Sequence, residues 1–237
     1  MKKIGFLFVA LLIASQVRAQ ASIFHDLLQK HVTKSGVVDD KKFNGQKLKK
    51  YITYLEKTSP DSSWSENKQK AFWINAYNAY TISLILNTRN EKGIKSIMDI
   101  KQEGKTAWKI PFAKIGRKTY TLDHIEQEIL RKTLFDPRIH VGVNCASGSC
   151  PKISNIAFTE ENVETELTRL MQGFINDTSK NKLSKKKIQI SSIFDWFKDD
   201  FTKDGSVIDY LNKYSTTKIN PNAKISYLKY DWTLNGK

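Results

Sequence analysis

The sequence has 237 residues, 40% of them apolar and 27% charged, with 11 Gly and 5 Pro, which excludes collagen-like, disordered and repeat-array chains and suffices for one substantial core. Two cysteines cannot supply the framework of a small disulfide-stapled scaffold, so apolar burial must hold the fold. The formal charge is +15, but the excess is mostly lysine, a hydrated point charge without arginine's planar fork for phosphate, and nucleic acid is not the expected partner.

Residues 1–19 read as a cleaved secretory signal. Lys2 and Lys3 precede an apolar run from Ile4 to Ala14, and Val17-Arg18-Ala19 offers the small residues a signal peptidase reads. The run is about 11 residues, short of the roughly 20 that span a bilayer, and no cysteine follows it to carry a lipid. Cleavage leaves 36 basic against 24 acidic residues, a net +12. The mature protein is expected to be periplasmic or secreted, with no transmembrane anchor.

An N-terminal helical segment is expected over 20–62, followed by one globular domain over 63–237. In the first, Phe24, Leu27, Leu28 and His31 share a helical face until Gly36, and Leu48, Ile52 and Leu55 repeat the pattern from Gln46 to Lys57. After the turn Ser59-Pro60-Asp61-Ser62, Ser63 or Ser65 can cap a long helix from Glu66 to about Asn87. From Ala71 to Leu86 that helix is apolar on almost every side, as a central core helix is. Asn75 and Asn78 share one face of it and must find partners, either as clamps on a neighbouring loop or as the wall of a polar cavity.

Lys109 to Tyr120 reads as a hairpin around Gly116-Arg117. Thr121 or Asp123 caps a helix from His124 to Lys132, with Glu126 in its first turn. Arg138 to Asn144 is β-branched and alternating, which predicts a short strand leading into Cys145. Glu160 to Asp177 is the clearest amphipathic helix; a strand at Lys187 to Ser191, helices at Phe194 to Phe201 and Val207 to Tyr214, and a strand at Ala223 to Lys229 complete the chain. The fold class is α+β or mixed α/β: a central buried helix, a small sheet and peripheral amphipathic helices.

Chemistry concentrates where His140 and both cysteines fall within eleven residues, Ile139-His140-Val141-Gly142-Val143-Asn144-Cys145-Ala146-Ser147-Gly148-Ser149-Cys150-Pro151. A loop of small residues lets backbone N–H groups form an anion-binding hollow, so Ser147, Gly148 and Ser149 are candidate oxyanion donors. Three readings compete. In the first, a thiolate nucleophile is activated by His140 or by a distant base such as His124 or His31. Strand parity sets His140 and Cys145 on opposite faces unless the chain bends at Asn144, and favours Cys150 as the sulfur nearer His140. In the second, Cys145 and Cys150 form a disulfide that locks the loop. The third, a metal site of His140, Cys145 and Cys150, lacks a fourth ligand and has marginal spacing. Neither metal nor cofactor is expected.

Four separated pieces give the chain a family resemblance: Ala71-Phe72-Trp73-Ile74-Asn75-Ala76-Tyr77-Asn78-Ala79, Leu122-Asp123-His124-Ile125-Glu126-Gln127-Glu128-Ile129-Leu130-Arg131, Asp136-Pro137-Arg138-Ile139-His140 through Cys150-Pro151, and Tyr230-Asp231-Trp232-Thr233-Leu234-Asn235. Together they resemble the bacterial and plant domain of unknown function 547, over about residues 65 to 235. The resemblance keeps the spacing His140-x4-Cys145, while plant-like members can carry serine at the second cysteine. It therefore implies that Cys145 matters more than Cys150 and weakens an essential disulfide. Gln127 stands where the family often has His; Glu126 matches.

The leading expectation is a secreted thiol-dependent hydrolase or acyl-transferase. Cys145 is its nucleophile, His140 the base or orienting group, and Glu126 an orienter. Asn75, Asn78, Ser147, Gly148, Ser149 and Cys150 are its binding residues, and the ligand is a small molecule, peptide or glycan. The alternative is a non-catalytic binding or structural domain with a Cys145–Cys150 disulfide.

Overall fold

The computed structural model describes residues 22–39 and 42–236; the leader expected over 1–19 lies outside them. The centre is helix α3 (Glu66–Lys92), in which every residue from Lys70 to Ile82 is buried. Ser65 caps it, its hydroxyl accepting the Lys68 N–H at 3.2 Å, and Gly93 ends it in the left-handed conformation at φ 62°. The expected helix is thus present and runs five residues beyond Asn87.

Helices α1 (residues 22–31) and α2 (Gly45–Lys57) pack onto α3 through the apolar faces read from the sequence. Phe24 stacks on Tyr51 at 4.7 Å, and both belong to the same buried cluster as Ile74, Tyr77 and Leu167. The described residues before 62 therefore contribute to the same buried cluster as the residues that follow.

Sheet structure among the described residues is confined to three two-stranded pieces. β1 (Lys101–Gln102) and β2 (Lys105–Thr106) form an antiparallel hairpin whose turn residues Glu103 and Gly104 both have positive φ. β3 (Ala113–Ile115) and β4 (Lys118–Tyr120) form the hairpin expected around Gly116-Arg117. β5 (Lys187–Ile190) pairs in parallel with β6 (Lys224–Tyr227). The result is a mixed helix and small-sheet fold in which helices dominate.

Two elements depart from the sequence reading. The expected strand over Arg138 to Asn144 is instead a buried helical turn, α4 (Ile139–Gly142). Asp136 starts it: its carboxylate accepts the Arg138 N–H at 2.8 Å and its carbonyl accepts the Ile139 N–H at 3.0 Å. The alternation that suggests a two-faced strand has no exposed face to serve, because residues 139–142 are all buried between α3 and α5 (Val163–Ile175). Gly142 permits the close approach, since a Cβ there would lie 2.9 Å from Leu167 Cδ2 and 3.2 Å from Ile74 Cδ1. The second departure is His124–Thr133, which is a π-helix of ten residues. Thr121 caps it, accepting the His124 N–H at 2.9 Å, whereas Asp123 makes no side-chain cap.

Phe194 to Phe201 splits into two turns, α6 (Ile193–Trp196) and α7 (Lys198–Phe201); α8 (Val207–Tyr214) falls where expected. No helix among the described residues is long and apolar enough to cross a membrane. Residues 230–235 then run as a strap between the turn at Ser96 and the cysteine loop. Gly148 N–H donates to Thr233 O at 2.6 Å, Ser149 N–H to Asp231 O at 3.0 Å, and Leu234 N–H to Lys95 O at 2.9 Å.

Candidate active site

α3, the Trp108 loop, the π-helix, the cysteine loop, α6 and the strap enclose a cavity of about 210 Å³. Tyr77, Trp108, Trp196, Phe197, Tyr230 and Trp232 form aromatic walls, and Glu126, His140, Cys145 and Cys150 supply its chemistry. Trp196 stacks on Trp232 at 5.7 Å and remains 48% exposed, so an aromatic face is open to an incoming ligand.

Cys145 is partly exposed and Cys150 is buried; both are free thiols. The Cys145 N–H donates to Cys150 Sγ at 3.1 Å, which seats the second sulfur on the backbone of the residue bearing the first. Ser147 Oγ lies 3.1 Å and Tyr230 Oη 3.4 Å from Cys145 Sγ, and the Ser147 N–H also points at that sulfur. The Cys150 thiol, foremost, and then these donors bring the Cys145 thiol down to about 6 against the opposing effect of burial. Cys150 moves the other way, raised by burial and by its neighbour's charge.

The loop is therefore a cradle for the sulfur, not an oxyanion hole. Gly148 and Ser149 N–H groups are spent on the strap, Ala146 N–H on Asn144 Oδ1 at 2.8 Å, and Cys150 N–H on Ser147 O at 3.1 Å. Gly148 answers a different need, because a Cβ there would meet Asp231 Oδ2 at 2.7 Å. Ala146 reverses the chain with a left-handed φ of 56°. The expected donors Ser147, Gly148 and Ser149 thus act through the Ser147 hydroxyl and amide alone.

His140 does not reach the sulfur. Its Nε2 bonds Asp200 Oδ2 at 2.8 Å, its Nδ1 lies 4.0 Å from Glu126 Oε1, and its ring stacks on Phe197 at 4.1 Å. Ionised Asp200 only accepts, so Nε2 carries the proton and the Nδ1 lone pair faces Glu126. Arg131 grips Asp200 with two bonds, at 2.6 and 3.0 Å. Although burial works to raise it, the His140 and Arg131 contacts hold Asp200 well below the usual carboxylate range. Burial dominates at His140 and keeps it neutral.

Glu126 is the titratable group that senses the thiol. Burial first, then the Cys145 charge, push its carboxyl up to about 7, while Tyr77 Oη donates to Oε2 at 3.2 Å. The π-helix explains its company. An i→i+5 repeat stacks Glu126 and Arg131 on one side, so a single element meets both ends of His140, directly at Nδ1 and through Asp200 at Nε2.

Asn75 and Asn78 do not line this cavity. Asn75 clamps Phe158, donating to its carbonyl at 2.7 Å and accepting its N–H at 3.0 Å. Asn78 donates to Gly142 O and accepts Asn144 N–H, both at 2.8 Å, fixing the exit from α4 into the cysteine loop. Asn144 in turn donates to Pro151 O at 2.8 Å. The two amides support the site from behind. His140, Cys145 and Cys150 do not converge on a metal position, and no group of three or more His, Cys, Asp or Glu among the described residues could hold an ion.

Sequence reasoning missed Tyr77, Trp108, Arg131, Trp196, Asp200, Tyr230 and Trp232. Tyr77, Arg131, Tyr230 and Trp232 lie inside the pieces that carry the family resemblance; Asp200 had no signal beyond its place in an aromatic helix.

One pocket of a mostly helical scaffold thus brings together a partly exposed thiol, a buried thiol and a buried carboxyl. Residues 62–175 match the family described as protein of unknown function, DUF547. The chain carries a domain of that family, and the match includes Glu126, His140, Cys145 and Cys150 while Asp200 and the strap lie beyond it. Neither a curated protein nor a solved structure matches the chain.

Proposed function

We propose that this protein is a thiol-dependent hydrolase or acyl-transferase with Cys145 as nucleophile and Glu126 as its proton carrier. The observation that carries the reading is the juxtaposition in one cavity of a sulfur surrounded by hydrogen-bond donors and a buried carboxyl held protonated near neutrality. Between pH 6 and 7 the pair favours a thiolate beside a carboxylic acid. That state suits acyl transfer: the sulfur attacks the carbonyl, and Glu126 gives its proton to the leaving group. The resulting carboxylate then takes a proton from water or an acceptor that attacks the acyl-thioester. His140, fixed by Asp200, positions Glu126. With the loop amides engaged, the Tyr230 hydroxyl and the protonated Glu126 are the groups left to stabilise an oxyanion, as a neutral acid can when its site is apolar.

The aromatic walls suit a small molecule, a peptide side chain or a glycan ring of modest size. The leader-like pattern of residues 1–19 supports a periplasmic or secreted location, which N-terminal sequencing of the exported protein tests.

Activated thioesters of varied acyl chain provide the activity test. The expected result is a burst of released thiol with an acyl group on Cys145, and a bell-shaped rate rising near pH 6 and falling near pH 7. No acyl adduct across the series, with Cys145 alkylated no faster at pH 7 than a free thiol, overturns the reading and leaves the binding-domain alternative.

A further inference from the structure

Beyond its hydrogen bond to the Cys145 sulfur, Cys150 takes no part in the bond making proposed above, yet its own sulfur is buried in the same site. It is 6% exposed, it accepts the Cys145 N–H at 3.1 Å, and it lines the same cavity as Cys145. The left-handed turn at Ala146 folds the loop back so that a partly exposed thiol and a buried thiol meet. Bonds at Asn144, Gly148, Ser149 and Cys150 hold that return in place.

We infer that Cys145 and Cys150 form a dithiol pair that exchanges with low-molecular-weight disulfides, Cys145 attacking and Cys150 resolving. The inference rests on the proposed role of Cys145 as nucleophile but not on acyl transfer. The Cys145 thiolate attacks one sulfur of R–S–S–R′, forming Cys145–S–S–R and expelling R′S⁻. Cys150 then attacks Cys145 Sγ; the Cys145–Cys150 bond forms and RS⁻ leaves. The Cys150 proton passes to R′S⁻, so the pair is oxidised by two electrons and the disulfide is reduced to the thiol R′SH and the thiolate RS⁻. A cavity of about 210 Å³ with aromatic walls admits a small disulfide rather than a folded protein's. The division of labour follows from thiol chemistry: the more acidic, accessible sulfur attacks and forms the mixed disulfide, and the buried one displaces it.

The reduced full chain reacted with 5,5′-dithiobis(2-nitrobenzoate), an aromatic disulfide, tests this. The wild type should release two equivalents of aryl thiolate and end bridged, with no aryl adduct by mass. Cys150→Ser should release one and keep the adduct, and Cys145→Ser should react at least about 100-fold more slowly. A wild type that stops at one equivalent with a stable adduct, or that carries two adducts, overturns the inference without recourse to any variant. Acylation by thioester, measured in parallel, separates the two readings. Acylation without bridging defeats the exchange alone, and bridging without acylation defeats the acyl-transferase alone. A Cys145 inert to both reagents defeats both.

Discussion

Glu126 keeps a proton that an exposed glutamate would release, and that proton ties stability to pH. Its carboxyl is raised from 4.5 to about 7 in the folded state, so the folded chain binds more protons than the unfolded one between those values. Its contribution is fully present below pH 4.5 and is lost as pH rises through 7. Glu126→Gln keeps the acceptor for Tyr77 and removes the ionisation. At pH 8 it should be more stable than the wild type, on the order of 3 kcal/mol for a fully buried group, and the difference should vanish near pH 4.5. Urea titrations at the two pH values measure it; a difference that does not change with pH contradicts a protonated Glu126. The clamps give a second prediction at this scale. Asn75→Ala and Asn78→Ala each strand buried backbone groups, at roughly 1–3 kcal/mol apiece in urea melts. Asn78→Ala should also slow Cys145 alkylation because it frees the Asn144 backbone, whereas Asn75→Ala should leave that rate unchanged. The need of these two amides for partners was legible in the sequence. Their partners were not, since Gly142, Asn144 and Phe158 reach them only through the packing of α4 and α5 on α3.

Among elements, the long helix and the amphipathic ones were legible because burial and periodicity agree there. α3 has apolar side chains all round, and Val163, Leu167, Leu170, Met171 and Phe174 form one buried face of α5. The α4 segment was misread because β-branched alternation stands for two faces only when one of them meets solvent. Its helical start depends on Asp136, which is itself held by Lys70 at 3.3 Å and Arg138 at 2.6 Å. The π-helix was legible as a helix but not as its type: Ile125, Ile129 and Leu130 satisfy an ordinary helical period, and the wider repeat shows only in the joint service of Glu126 and Arg131 to His140. Packing at α4 yields a prediction. Gly142→Ala would press a methyl group against Leu167 and Ile74, and both neighbours are buried. The cost should be about 1–3 kcal/mol, seen as a lower urea midpoint at unchanged m.

Over the whole molecule, the site is assembled by the strap. Tyr230 lies 85 residues beyond Cys145 in sequence yet 3.4 Å from its sulfur. The motif Tyr230-Asp231-Trp232-Thr233-Leu234-Asn235 was visible as part of a resemblance. Its task was not, because no local pattern announces contacts across that separation. Tyr230→Phe removes a donor to the thiolate and leaves the tilted ring contacts with Trp196 and Trp232 in place. The Cys145 thiol should therefore become less acidic, and the midpoint of its alkylation-rate profile should move above 6, with little change in melting temperature. A profile that stays put would show that Ser147 and Cys150 suffice. Truncation after Lys229 should go further, exposing the Gly148 and Ser149 amides that the strap now covers.

The strap also sets an order in time. A ribosome adds about 5–20 residues per second, so the 85 residues from Cys145 to Tyr230 take roughly 4–17 s to follow. Throughout that interval the growing chain carries its thiol without the hydroxyl and indole that complete the pocket. The Tyr230 hydroxyl, one of the groups that lower the Cys145 thiol, reaches the sulfur only when the strap docks. On the proposed reading of Cys145, a nascent chain is in this way spared a primed nucleophile while its unfolded segments are still exposed to one another.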